Sequence, residues 1–137
     1  MKNSPTENPL DWPQRRPRLS LGQSFRCAFA GLTFVFRTQR NARVHVLAGA
    51  TAIVLGICVG LSRLEWAVLT LLIAAVFSAE IINTAIELLV DLVSPEYHEV
   101  ARVAKDAAAA AVLCLALASG VIALLFFAAP LKAWVLS

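Results

Sequence analysis

The sequence predicts an all-α integral membrane bundle: an N-terminal interfacial amphipathic helix followed by three transmembrane helices. Three observations predict it. Apolar residues make up 59% of the 137-residue chain and charged residues 15%, against about 45–50% and about 25% in ordinary soluble domains. A soluble protein of this size has too little interior to hide that much apolar surface. The apolar residues also fall in three long runs, and eight of the twelve basic residues precede Val44.

The elements follow in order. Residues 1–19 form a polar tail with Pro5, Pro9, Pro13 and Pro17; it has no apolar core or cleavage pattern of a leader peptide and is expected to be disordered. The membrane domain spans 20–137. Ser20 and Gln23 have capping-box spacing. Beyond them Leu21, Phe25, Phe29, Leu32 and Phe36 recur at helical spacing, opposite a face carrying Gln23, Arg26, Thr33 and Arg37. That pattern predicts an amphipathic helix over 20–41, too polar on one face to cross a bilayer and suited to its surface.

The first span, 44–61, has 18 residues without formal charge, with His45 at its start. At 1.5 Å per residue it covers about 27 Å. A short turn leads to a helix over 65–93, marked by Trp66 at an interface position and ended by Ser94 and Pro95. Its 29 residues span about 43 Å, so its last turns emerge among headgroups. Residues 94–106 are expected to form a charged connection. The third span runs over 106–129, uncharged from Ala107, with Pro130 closing it and Trp134 anchoring the far side. Residues 1–43 carry eight Lys or Arg, the 94–106 connection two, and the other two ends one each. The positive-inside rule therefore puts the N-terminus in the cytoplasm. A basic segment beside a span also reads as a lipid-headgroup contact rather than a nucleic-acid surface. Cys27, Cys58 and Cys114 are odd in number and lack paired spacing, so neither a disulfide framework nor a metal knuckle follows.

The chemistry concentrates in Ser78–Asp91, SAEIINTAIELLVD. Glu80, Asn83, Glu87 and Asp91 share one helical stripe, with Thr84 beside it. Counted from Trp66, Glu80 lies about 21 Å and Glu87 about 32 Å along the helix. Glu80 thus sits inside the hydrocarbon layer, where a carboxylate is costly and marks a functional group by default. It reads as a proton acceptor or as a structural acid bonded to a neighbouring helix. Glu87 and Asp91 lie where water begins, suited to a hard cation and the phosphates it brings, or simply solvated. Asn83 reads as a site residue or as interhelical glue. Lys105 and Asp106 begin the third span at the depth of Glu87. Lys105 can neutralise phosphate charge or merely snorkel. No Walker, Rossmann or protein-kinase motif is present. A small transporter or channel, and a structural membrane protein whose acids lock helices together, stand as alternatives.

Residues 79–113, AEIINTAIELLVDLVSPEYHEVARVAKDAAAAAVL, resemble the prokaryotic membrane diacylglycerol kinase family, in particular its undecaprenol kinase-like branch. The shared pattern is E-x-x-N-T-A-I-E, then D, P-E-Y-H and A-K-D; residues 24–45 resemble the family's interfacial helix. The resemblance implies a homotrimer with sites shared between chains in a bacterial plasma membrane. It also implies Mg²⁺-dependent transfer of the ATP γ-phosphate to a lipid alcohol, diacylglycerol or undecaprenol. By resemblance Glu80 is the catalytic base. Glu87 holds the metal with the nucleotide; Glu96, Tyr97, Lys105 and Asp106 contact the nucleotide. Asn83 and Arg26 lie with Glu80 at the lipid. Two positions depart from the pattern. Gln39 replaces a frequent glutamate that supplies a second metal ligand, offering a neutral carbonyl instead. Cys27 stands where an aromatic residue frequently meets the nucleotide.

Overall fold

The computed structural model describes residues 19–135, with side chains described through Ala128. The expected disordered tail therefore lies, apart from Leu19, outside the described residues, as does the Trp134 side chain. Four helices account for the described chain, with no strand among the described residues: α1 Leu21–Thr38, α2 Arg40–Val59, α3 Arg63–Val93 and α4 Glu99–Val135. α2, α3 and the Glu99–Ala128 part of α4 are long and apolar enough to cross a bilayer, with mean hydropathies of 1.9, 1.9 and 2.7.

The chain divides into two units, residues 1–31 and 32–137. In the first, the start of α1 is closed by a capping box: Gln23 N–H donates to Ser20 Oγ at 3.3 Å, and Ser20 N–H donates to Gln23 Oε1 at 2.9 Å. These bonds satisfy two amides that the first helical turn leaves without a partner. Leu21, Phe25 and Phe29 are exposed.

The second unit is the bundle, in which α3 packs against both α2 and α4. The α2–α3 seam rests on small residues. The buried residues of α2 are Ala42, Gly49 and Gly56, each seven apart. Opposite them, a Cβ added at Gly49 would meet Ile73 at 3.3 Å, and one at Gly56 would meet Trp66 at 3.1 Å. The Ala42 amide in turn approaches Glu80. These three contacts fix one antiparallel register, because each step of seven forward on α2 matches seven back on α3. A seven-residue repeat keeps a seam facing its partner along a left-handed crossing. Small residues let two backbones approach where lipid removes any hydrophobic drive.

Local chemistry explains the tight α2–α3 turn. Gly60 adopts φ 72°, ψ 52°, left-handed backbone that a side chain would disfavour, and its N–H caps Gly56 and Ile57 carbonyls. Two residues later Ser62 and Glu65 form a second capping box, with bonds of 2.7 and 3.4 Å.

α4 differs from expectation at both ends. It begins at Glu99 rather than near residue 106, because Glu99, Arg102 and Asp106 pair at i,i+3 and i,i+4 spacing. Hydropathy is blind to a helix whose first two turns are charged. At the other end α4 runs through Pro130 to Val135. Proline removes one amide donor, but in apolar surroundings the remaining backbone groups can be satisfied only by continuing the helix.

Candidate functional site

α3 carries the candidate residues because its 3.6-residue turn aligns them. Glu80 and Thr84 are each 1% exposed and Asn83 is 5% exposed. Glu87 is half-buried and Asp91 exposed. Burial therefore falls steadily along one stripe toward the C-terminal end of α3. Thr84 hydrogen-bonds its own helix, its hydroxyl donating to the Glu80 carbonyl at 2.9 Å. The Asn83 amide donates to Glu87 Oε1 at 3.0 Å.

Glu80 is the anomalous group. Its Oε2 is buried without a hydrogen-bond partner, as is Asn83 Oδ1. A buried acceptor without a donor costs stability, so its retention calls for a purpose. The Ala42 amide approaches the same carboxyl group. That N–H lies in the first turn of α2, where amides have no partner within their own helix. His45 on α2 and Glu87 on α3 are ionisable neighbours of Glu80.

The exposed end is built from α3, α4 and the segment between them. Lys105 Nζ pairs with Asp91 Oδ1 at 2.9 Å, tying α4 to the stripe. A cavity of about 310 Å³ opens beside this pair, lined by Asp91, Glu96, Tyr97, Arg102, Lys105 and Asp106 among others. Arg102, unread in the sequence, organises its rim: the guanidinium donates to Glu99 and, at 2.6 Å, to Asp106 Oδ2. The Tyr97 hydroxyl donates to Glu99 at 2.6 Å. The i,i+3 and i,i+4 spacing of Glu99, Arg102 and Asp106 was a legible signal for this network, hidden by reading the segment as a loop.

The structure thus gathers Glu80, Asn83 and Glu87 on one line and Asp91, Glu96, Tyr97, Lys105 and Asp106 around one cavity. Gln39 is half-buried at the N-cap of α2 and makes no capping bond through its side chain. The register of α2 against α3 sets it level with Asn83. Arg26 and Cys27 lie on α1 in the unit that ends at Gly31, both exposed.

Among the described residues no three His, Cys, Asp or Glu side chains cluster as a metal cage. Mg²⁺ does not require one, since it commonly takes one or two carboxylates and completes its shell with phosphates and water. Glu87, with Asp91 one turn further, fits an ion that arrives with a nucleotide.

Residues 26–127 match the family described as prokaryotic diacylglycerol kinase. The chain is 44% identical over 105 residues to an undecaprenol kinase of Bacillus subtilis, covering 77% of this chain and 85% of that one. It is 44% identical over 100 residues to a diacylglycerol kinase of Synechocystis, covering 72% and 57%. A Sinorhizobium diacylglycerol kinase is 41% identical over 81 residues, covering 59% of each chain. The three apolar helices, the in-line acidic stripe and these matches agree: the chain belongs to the prokaryotic diacylglycerol kinase family and is a membrane lipid kinase.

Proposed function

We propose that the protein transfers the γ-phosphate of ATP, with Mg²⁺, to the hydroxyl of a membrane lipid alcohol at the cytoplasmic face. The observation that carries this reading is the buried, unpartnered Oε2 of Glu80 on the same stripe as Glu87 and Asp91, the last of which lines the 310 Å³ cavity. The two carboxyls are seven residues apart, about 10 Å along the axis. Such an offset separates a lipid end from a nucleotide end.

Glu80 takes the hydroxyl proton as the lipid oxygen bonds to the γ-phosphorus. The bond from that phosphorus to the β–γ bridging oxygen breaks, and ADP leaves. Lys105 offsets charge on the phosphates, and Asp106, Glu96 and Tyr97 border the nucleotide. Asn83 holds the Glu87 carboxylate in place through its amide. Glu87, with Asp91 or Gln39 as secondary oxygen donors, would hold Mg²⁺ together with the phosphates, and the ion would supply charge neutralisation at the transferred group. The remainder of catalysis is positioning, as phosphoryl transfer requires. Arg26 and Cys27 belong to this reading through the family pattern, at the lipid and the nucleotide. So do the homotrimer, the sharing of sites between chains and the cytoplasmic N-terminus, the last supported also by the basic segment before α2.

Undecaprenol is the substrate we place first. The relative of that name is covered over 85% of its length, whereas the diacylglycerol kinases are covered over 57% and 59%. The test is to offer undecaprenol and diacylglycerol side by side in mixed micelles with labelled ATP and Mg²⁺. Labelled undecaprenyl phosphate is the expected product. Faster labelling of diacylglycerol would reverse the substrate choice, and labelling of neither would remove the phosphoryl-transfer reading.

A further inference from the structure

Where α3 gives way to α4, four polar side chains form one continuous chain of bonds. The Tyr97 hydroxyl donates to Glu99 Oε2 at 2.6 Å. The Arg102 guanidinium lies along the same carboxylate, with Nε donating to Oε2 at 3.3 Å and Nη2 to Oε1 at 2.5 Å. Its third nitrogen, Nη1, donates one turn onward to Asp106 Oδ2 at 2.6 Å. Both Glu99 oxygens are engaged, and each guanidinium nitrogen has an acceptor.

Tyr97, Arg102 and Asp106 line the 310 Å³ cavity, and Glu99 does not. Glu99 stands behind the wall and holds two of its members. Stability does not account for the arrangement. The Glu99, Arg102 and Asp106 side chains are 60%, 50% and 63% exposed, and ion pairs so open to water contribute little to folding. The start of α4 also has a cap of its own, because Val100 N–H donates to His98 Nδ1 at 3.2 Å.

Charge gives the network a purpose. Three carboxylates line the cavity, Asp91, Glu96 and Asp106, against the cations of Lys105 and Arg102. Lys105 pairs with Asp91 and Arg102 with Asp106. A nucleotide brings several negative charges to this wall, so a carboxylate free to swing into the cavity would repel it.

We propose that Glu99 and Arg102 are positioning residues for the nucleotide: Glu99, from outside the cavity, fixes the Tyr97 ring and the Arg102 guanidinium, and Arg102 holds the Asp106 carboxylate in one orientation. This rests on the kinase reading above and adds what orders the nucleotide rim. Neither residue touches the reacting atoms. The relay needs a planar fork, which engages one carboxylate along an edge and a second through its remaining nitrogen; an ammonium has no such fixed geometry. A rim ordered in advance spares that ordering at binding. The contribution therefore falls on nucleotide affinity and not on the chemical step.

The test measures kcat and both KM values in mixed micelles, the Kd of a non-hydrolysable ATP analogue with Mg²⁺ by calorimetry, and thermal unfolding in the same detergent. Glu99→Gln and Arg102→Gln are each expected to raise KM for ATP and the analogue Kd about fivefold or more, as coupled neighbours do. Their kcat and lipid KM should stay put, the signature of lost binding to one substrate. The double variant should lose no more than the worse single, because both residues act through one chain of bonds. Arg102→Lys keeps the charge and is expected to recover only part of the loss. Unchanged ATP KM and analogue Kd in both glutamine variants would overturn the proposal. So would losses that multiply in full in the double variant, or an unfolding midpoint that falls in step with affinity. Complete recovery in Arg102→Lys would overturn the relay by showing that charge alone suffices. A parent protein that labels no lipid alcohol would instead defeat the underlying kinase reading, and the analogue Kd would still decide the role of the rim.

Discussion

Replacing Glu80 by glutamine tests the centre of the reading. The side chain is 1% exposed and its Oε2 has no partner, so an isosteric amide keeps the volume and leaves Ala42 an oxygen to approach. The fold should persist. What disappears is the capacity to accept a proton. General-base catalysis contributes about 10²–10⁴-fold, so kcat should fall by that factor, equivalent to about 3–5 kcal/mol in the barrier. KM for ATP should barely move, since Glu87 lies seven residues, about 10 Å, further along α3. Glu80→Asp retains the charge but withdraws the carboxylate by about one bond. Since a displacement of about 1 Å can cost about 10²-fold, it should rescue little. The assay is transfer of labelled γ-phosphate to a lipid alcohol in mixed micelles, with thermal unfolding of parent and variant in the same detergent. Undiminished kcat in Glu80→Gln at unchanged stability would refute the base assignment.

Two further outcomes follow from the packing. The Lys105–Asp91 pair is 37% and 62% exposed, so Asp91→Asn should cost at most about 1 kcal/mol of stability; a several-fold rise in KM for ATP without a matching loss of thermal stability would mark Asp91 as part of the nucleotide site, through Lys105 or through the metal, and an unchanged KM would show the pair to be incidental. Gly49→Val drives a branched side chain into Ile73, whose γ-carbon already stands 3.3 Å from a Cβ built at that position. It should destabilise the bundle by about 1–3 kcal/mol, read as a lower unfolding midpoint in detergent, while Gly120→Val should leave that midpoint in place.

The stripe of Glu80, Asn83, Glu87 and Asp91 was legible because helical period alone aligns those positions, and α3 is long enough to hold them rigidly. The capping box at Ser20 and Gln23 was legible for the same local reason. The heptad of Ala42, Gly49 and Gly56 was equally open to reading, yet small apolar residues look alike in a hydropathy profile whether they face lipid or another helix. The start of α4 was misread because its first turns pair charges with one another, which averaging over a window counts as loop.

Composition and periodicity by themselves determined the class of this protein, its three apolar helices and the acidic stripe, because each depends on chemistry within a single helix or on the cost of polar groups in lipid. Which helix meets which was decided by the tertiary structure. The α2–α3 register that brings Ala42 to Glu80 and the reach of Lys105 to Asp91 across 14 residues both depend on contacts between helices. Those contacts are set by the shapes of facing side chains, and no spacing along one strand of sequence encodes how two such surfaces fit.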